Sequence, residues 1–116
     1  MPIIRKSETT LENLGPGTDR WTLVDGEKGA ESLSVGDLTL QPEAAVRTHV
    51  HPTEEAMVIV EGELDAVLGD EVIQVKTGDT VLAPIGVKHG FVNRSGASAR
   101  VMAIFPTATI ERTFVD

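Results

Sequence analysis

The sequence predicts an all-β fold, and three observations carry that reading. Turn-forming residues recur at short intervals along the chain, as in Asp25-Gly26, Gly36-Asp37, Glu61-Gly62, Gly69-Asp70, Gly78-Asp79, Pro84, Gly86 and Pro106. The stretches between them are brief and rich in β-branched and apolar residues, the pattern of a sandwich or barrel. No stretch shows a convincing amphipathic helical period.

The predicted strands are 37–40, 46–51, 56–61, 63–68, 71–76, 80–83, 88–93 and 100–105. Residues 63–68 and 71–76 each alternate partly with period two, and Gly69-Asp70 lies between them. A two-residue link with Gly first suits a type II′ hairpin turn. Met57-Val58-Ile59-Val60 is apolar throughout, which predicts a strand covered on both faces. Residues 1–20 read as an N-terminal arm. Residues 7–14 could open a helix with Ser7 as its cap, but a short turn is the simpler reading. Trp21 is read as a core or dimer contact.

The chain has 116 residues, the length of one domain, and the whole of 1–116 is read as such. A chain this short buries a small share of its surface, so a metal or a second copy would help it. Its formal net charge is −8, with no Lys/Arg cluster, which argues against nucleic acid and anionic membranes as partners. Cysteine is absent, excluding disulfides and thiolate ligands. Residues 1–6 lack the apolar run of a signal peptide, and nothing approaches the roughly 18 apolar residues of a membrane span. A cytoplasmic location is the expectation.

The chemistry concentrates on three histidines, His49, His51 and His89. Residues two apart in a strand point to one face. Arg47, His49 and His51 are therefore expected on one side of 46–51, with Val46, Thr48 and Val50 on the other. Two imidazoles about 7 Å apart along a strand can converge on one ion. Glu55 follows a Pro52-Thr53-Glu54 turn that can return the chain alongside. His89 must arrive from elsewhere in the fold.

These residues sit in two spaced motifs. His49, His51, Glu55 and Gly62 form the first. Gly78, Pro84, Gly86, His89 and Asn93 form the second. In that order and spacing the chain resembles the cupin superfamily over about residues 37–105. The resemblance implies a double-stranded β-helix, or jelly-roll barrel, with His49, His51, Glu55 and His89 as metal ligands. Glu54 is the rival for Glu55, but its spacing from His51 is one residue short and it should face the other way. One departure stands out: the family usually has Gly before the first ligand strand, where this chain has Pro42-Glu43. A negative φ is expected at Glu43, since a residue with a Cβ disfavours the alternative. Asn93 is read as stabilising a turn.

Three imidazoles and a carboxylate suit one divalent transition metal, Fe or Mn foremost, with Zn, Ni or Cu as alternatives. In a six-coordinate site two positions stay open, whereas a four-coordinate zinc would be closed. Cupins bind ligands beside the metal, so same-face neighbours are the candidate substrate contacts. These are Arg47, as a carboxylate partner, and Met57, Ile59 and Phe91, as an apolar wall. Only four aromatics are present, which points away from sugar stacking and towards a small organic molecule. The resemblance implies an oxidoreductase, a dioxygenase foremost. A redox-neutral isomerase, epimerase or lyase, or a non-catalytic binding module, are the alternatives. A homodimer is expected, with 57–60 and the arm across the two-fold axis.

Overall fold

The computed structural model describes residues 2–115, and among them there are eleven strands, two short 3-10 turns and no α-helix. The strands are β1 (Leu11–Gly15), β2 (Thr18–Val24), β3 (Ser34–Leu40), β4 (Ala45–Val50), β5 (Glu55–Glu61), β6 (Glu63–Leu68), β7 (Glu71–Lys76), β8 (Thr80–Ala83), β9 (His89–Val92), β10 (Ala99–Phe105) and β11 (Thr113–Phe114). Two sheets face each other, with strand orders β1-β2-β3-β10-β5-β8 and β11-β4-β9-β6-β7. Every pairing is antiparallel. The chain thus forms the two-sheet double-stranded β-helix of the cupins.

Inward side chains alternate along the strands and meet between the sheets. Leu38, Leu40, Met57, Ile59, Leu64, Ala66, Phe91, Val101 and Phe105 are all buried there. Burial of a large aliphatic side chain stabilises by about 1.5–3 kcal/mol, so this layer is what holds the sheets together.

Three strands lie outside the predicted core. The N-terminal arm contains a short 3-10 turn, Lys6–Glu8, as expected. It then continues as β1 and β2, which extend the six-stranded sheet beyond β3. Thr18-Asp19-Arg20-Trp21-Thr22 is polar on both faces, so the period-two signal of a half-buried strand is missing there. Trp21 is half-buried rather than in the core, with the Lys6 ammonium 5.6 Å from its ring centroid. Gly36-Asp37 is not a turn: it lies inside β3. Asp37 is buried beneath Arg100, which grips it with two bonds of 2.8 Å, and Lys6 at 3.0 Å. The run 57–60 is covered on one face only. Met57 and Ile59 enter the core, while Val60 is exposed on the outer face.

Two turns show what the local sequence dictates. Gly69 has φ 60° and Asp70 a negative φ, as a II′ link requires. Glu43 adopts φ 74°, contrary to the expected negative value. The Ala44 amide donates to the Gln41 carbonyl, closing a turn with Pro42 and Glu43 at its centre. Proline followed by a positive φ is a type II turn, and its third position favours glycine. The turn geometry overrides the side chain.

Candidate metal centre and cavity

β4, the loop after it, β5 and β9 bring four side chains together. His49, His51, Glu55 and His89 are all buried, and each offers one ligand atom within 4.8 Å of the others. Glu54, the rival carboxylate, is exposed. Glu55 Oε1 lies 2.7 Å from His89 Nε2 and 3.3 Å from His51 Nε2. The ring centroids of His49 and His89 are 4.4 Å apart.

Each ring is oriented by a backbone carbonyl. His49 Nδ1 lies 2.6 Å from the Arg47 carbonyl, His51 Nδ1 2.6 Å from that of Glu111, and His89 Nδ1 3.0 Å from that of Val87. A carbonyl only accepts, so each Nδ1 carries the proton and each Nε2 is left for the cluster. Such carbonyl partners are the usual way a protein fixes a metal-ligating imidazole. With the imidazoles neutral, three Nε2 lone pairs gathered around a carboxylate repel unless a cation lies among them. The donor set therefore fits one divalent ion.

Without an ion, the electrostatics are those of a mutually perturbed group. Burial pushes His49 down to about 4, with the charges of His89 and His51 adding to the effect. The hydrogen bond to Arg47 and the charge of Glu55 oppose it. His89 is raised: burial works against the charged form, but the bonds to Glu55 and Val87 outweigh it. Glu55 is lowered: burial again opposes, and the bonds from His51 and His89 prevail.

The cluster closes one part of a cavity between the sheets. Met57 and Phe91 line it, together with Leu14, Val46, Val101, Phe105 and Ile110. Ile59 instead belongs to the packed core. The space open to water centres is about 40 Å³, enough for a few waters. A larger molecule can place only its reacting end inside unless the walls move.

Arg47 does not take its predicted place beside the histidines. Val46 pairs with Phe91 and His49 with His89, so Arg47 and Thr48 together oppose Gly90 alone. This β-bulge breaks the alternation. Val46 lines the cavity, while Arg47 turns outward and lies over the Phe114 ring, 4.4 Å from its centroid. Gly90 makes the bulge possible, because a Cβ there would stand 2.5 Å from the Val46 carbonyl oxygen. Gly62, the last residue of the first motif, has a similar role. With φ 95°, it lies where a Cβ would meet Ala99 Cα at 2.9 Å. Asn93 is fully buried and donates to the carbonyls of Leu40 and Ala97 while accepting from Ser95, the turn-stabilising role expected of it.

Two arginines that the sequence reading missed also line the cavity, Arg20 from β2 and Arg112 from the segment before β11. That segment sits over the site: Glu111 orients His51, Phe114 pairs with His49, and the Val115 amide donates to Thr48.

A small two-sheet barrel with a buried three-histidine, one-glutamate cluster defines a cupin with a candidate metal centre. The chain matches the Cupin domain family over residues 36–105, and it belongs to that family. Among curated proteins it is similar to "Polyketide synthase CurC" of Streptomyces cyaneus, 31% identical over 75 residues, which cover 64% of this chain and 49% of the relative. It is also similar to "Protein SchB" of Streptomyces halstedii, 30% identical over 87 residues, covering 74% of this chain and 63% of the relative. The chain thus spans roughly half to under two thirds of the length of these relatives. Among solved structures, the polyketide cyclase RemF of Streptomyces resistomycificus shares the fold, with a TM-score of 0.80 and 24% identity, covering all of this chain and 87% of that one. No helix among the described residues is long and apolar enough to cross a membrane.

Proposed function

We propose that this cupin is a metal-dependent enzyme acting on an enolisable 1,3-dicarbonyl of polyketide type, and that its reaction is a redox-neutral ring closure. One observation carries the reading. Among the described residues, Arg20 and Arg112 are the only ionisable side chains lining the cavity apart from the four cluster residues, so none of the described lining residues is a dedicated general base. A 1,3-dicarbonyl suits such a site, because its methylene is acidic enough to ionise once its oxygens are polarised. The names of CurC and RemF support the same substrate class.

His49, His51, Glu55 and His89 would hold the ion. When bound, a divalent metal supplies Lewis-acid polarisation of carbonyl oxygens. The chain does the rest. The carbonyls of Arg47, Glu111 and Val87 hold the imidazoles in one tautomer and orientation. Met57, Phe91, Val101 and Phe105 keep bulk water from the reacting carbons. Ring closure joins the ionised methylene carbon to a ketone carbon further along the same molecule. The proton lost from carbon is balanced by one gained at oxygen, and no oxidant is consumed.

Dioxygenase chemistry is the second reading, favoured by the donor set itself, which suits Fe(II) or Mn(II). One experiment separates the two. Protein of verified metal content is given a poly-β-ketone acid, whose chain carries a 1,3-dicarbonyl and a further ketone at ring-closing distance, with and without oxygen. Cyclised product under strict anaerobiosis, lost in Glu55→Ala, supports ring closure. Product only in air, with matching oxygen uptake, supports the dioxygenase and rejects the first reading.

A further inference from the structure

Arg20 and Arg112 bring two guanidinium groups to a cavity whose sole carboxylate among the described residues is Glu55, in a chain of net charge −8. Both stand where the cavity meets solvent. Arg20 also borders a surface groove with Glu12 and Thr22, and Arg112 borders one with Val50 and Pro52.

Arg20 is placed with care. Its stem crosses Gly36, where an added Cβ would stand 3.0 Å from Arg20 Cδ. One terminal nitrogen bonds Glu12 at 3.0 Å, and Thr22 donates to the other oxygen of that carboxylate. Arg20 Nε is buried and has no partner, alone in this among the buried side-chain polar atoms of the described residues. A buried N–H donor left unpaired carries a desolvation cost that a ligand oxygen would relieve. Arg112 stacks near Phe114, 5.1 Å from the ring centroid, and has no carboxylate at ion-pair distance among the described residues. Partial enclosure and then the Arg20 charge hold Arg112 below the ordinary guanidinium value, which agrees with two cations sharing one mouth.

We infer that Arg20 and Arg112 form a carboxylate-recognition subsite at the cavity mouth, so that the substrate is a 1,3-dicarbonyl that also carries a carboxylate. The inference rests on the dicarbonyl reading above and adds the anionic end. A guanidinium matches a carboxylate with paired, charge-assisted bonds. The dicarbonyl end would reach the cluster while the carboxylate stays at the rim.

The test is calorimetric titration of the zinc-loaded full chain with 3,5-dioxohexanoate and with its methyl ester. The acid should bind about tenfold or more tightly than the ester, the yield of a charge-assisted hydrogen bond. Arg20→Gln and Arg112→Gln should each remove most of that preference while leaving zinc content and ester affinity unchanged. Arg112 lies on an exposed segment, so its variant tests the inference even if Arg20→Gln fails to fold. Equal binding of acid and ester, or a preference that survives Arg112→Gln, overturns the subsite and leaves the dicarbonyl reading standing. Binding of the acid alone, abolished by Arg112→Gln, supports the subsite and counts against the dicarbonyl reading. If neither compound binds, both fall.

Discussion

Replacing Gly90 by alanine should damage the candidate metal centre without touching any of its four side chains. Gly90 lies in β9 against the bulge of β4, and its φ is not positive, so the demand for glycine there is steric alone. The new methyl would sit 2.5 Å from the Val46 carbonyl oxygen and 3.3 Å from the backbone of Thr48, where ordinary contact begins at 3.4 Å. The strands must part by up to about 0.9 Å, and neither neighbour is a flexible side-chain end. Overpacking of this kind costs about 1–3 kcal/mol. For a domain of this size that lowers the thermal midpoint by about 4–12 °C. The same displacement moves the Arg47 carbonyl, which orients His49, and shifts β4 relative to His89. Disturbing such outer partners typically weakens metal binding by about 10–100-fold. Gly96→Ala is the control, since nothing lies within 4 Å of its added carbon and its φ is not positive. That variant should stay within about 0.5 kcal/mol of the parent. Thermal unfolding and competitive zinc titration of the two variants check the reasoning. If Gly90→Ala melts and binds zinc like Gly96→Ala, the bulge does not position the cluster.

Glu43→Gly should raise stability by about 0.5–1 kcal/mol, because a left-handed φ costs an L-residue about 1–2 kcal/mol and glycine's extra chain entropy returns part of that gain; denaturant unfolding measures it, and a lower midpoint would show that the Glu43 side chain contributes more than the turn suggests. Zinc binding near pH 6.5 should release protons from the cluster. In the metal-free chain His89 has a raised pKa, so it keeps its proton above the pH at which a free imidazole loses it, and the ion must displace that proton from the contact with Glu55. Calorimetry in two buffers of different ionisation enthalpy counts the protons, and a zero count at pH 6.5 would refute this account of the cluster.

The core of the barrel was legible because its strands alternate or run apolar between glycine turns. The strands β6, β7 and β8 begin and end at the predicted residues. The four cluster residues were legible through spacing: His49 and His51 are two apart, and the second motif supplies His89 at a fixed distance from Gly86. What escaped were features of pairing rather than of composition. Nothing in Val46-Arg47-Thr48-His49 announces that two of its residues will oppose one glycine, so strand alternation alone puts Arg47 on the wrong face. Arg20 sits in a strand that is polar on both sides, which hides its inward position. Arg112 follows a stretch with no strand period, and it reaches the site only because β11 pairs with β4.

The bulge also sets a parity along β4. Upstream of it, even-numbered positions such as Val46 face the interior; downstream, odd-numbered ones such as His49 do. Deleting Arg47 or Thr48 would leave one residue against Gly90 and make the strand regular, with Val46 and His49 still inward and still opposite Phe91 and His89. A deletion or insertion elsewhere in the strand has no such outlet, because it turns every residue on one side of it to the opposite face. Away from the bulge, insertions and deletions should therefore be tolerated far less in this strand than in the hairpin tips, although its sequence is no more distinctive than theirs.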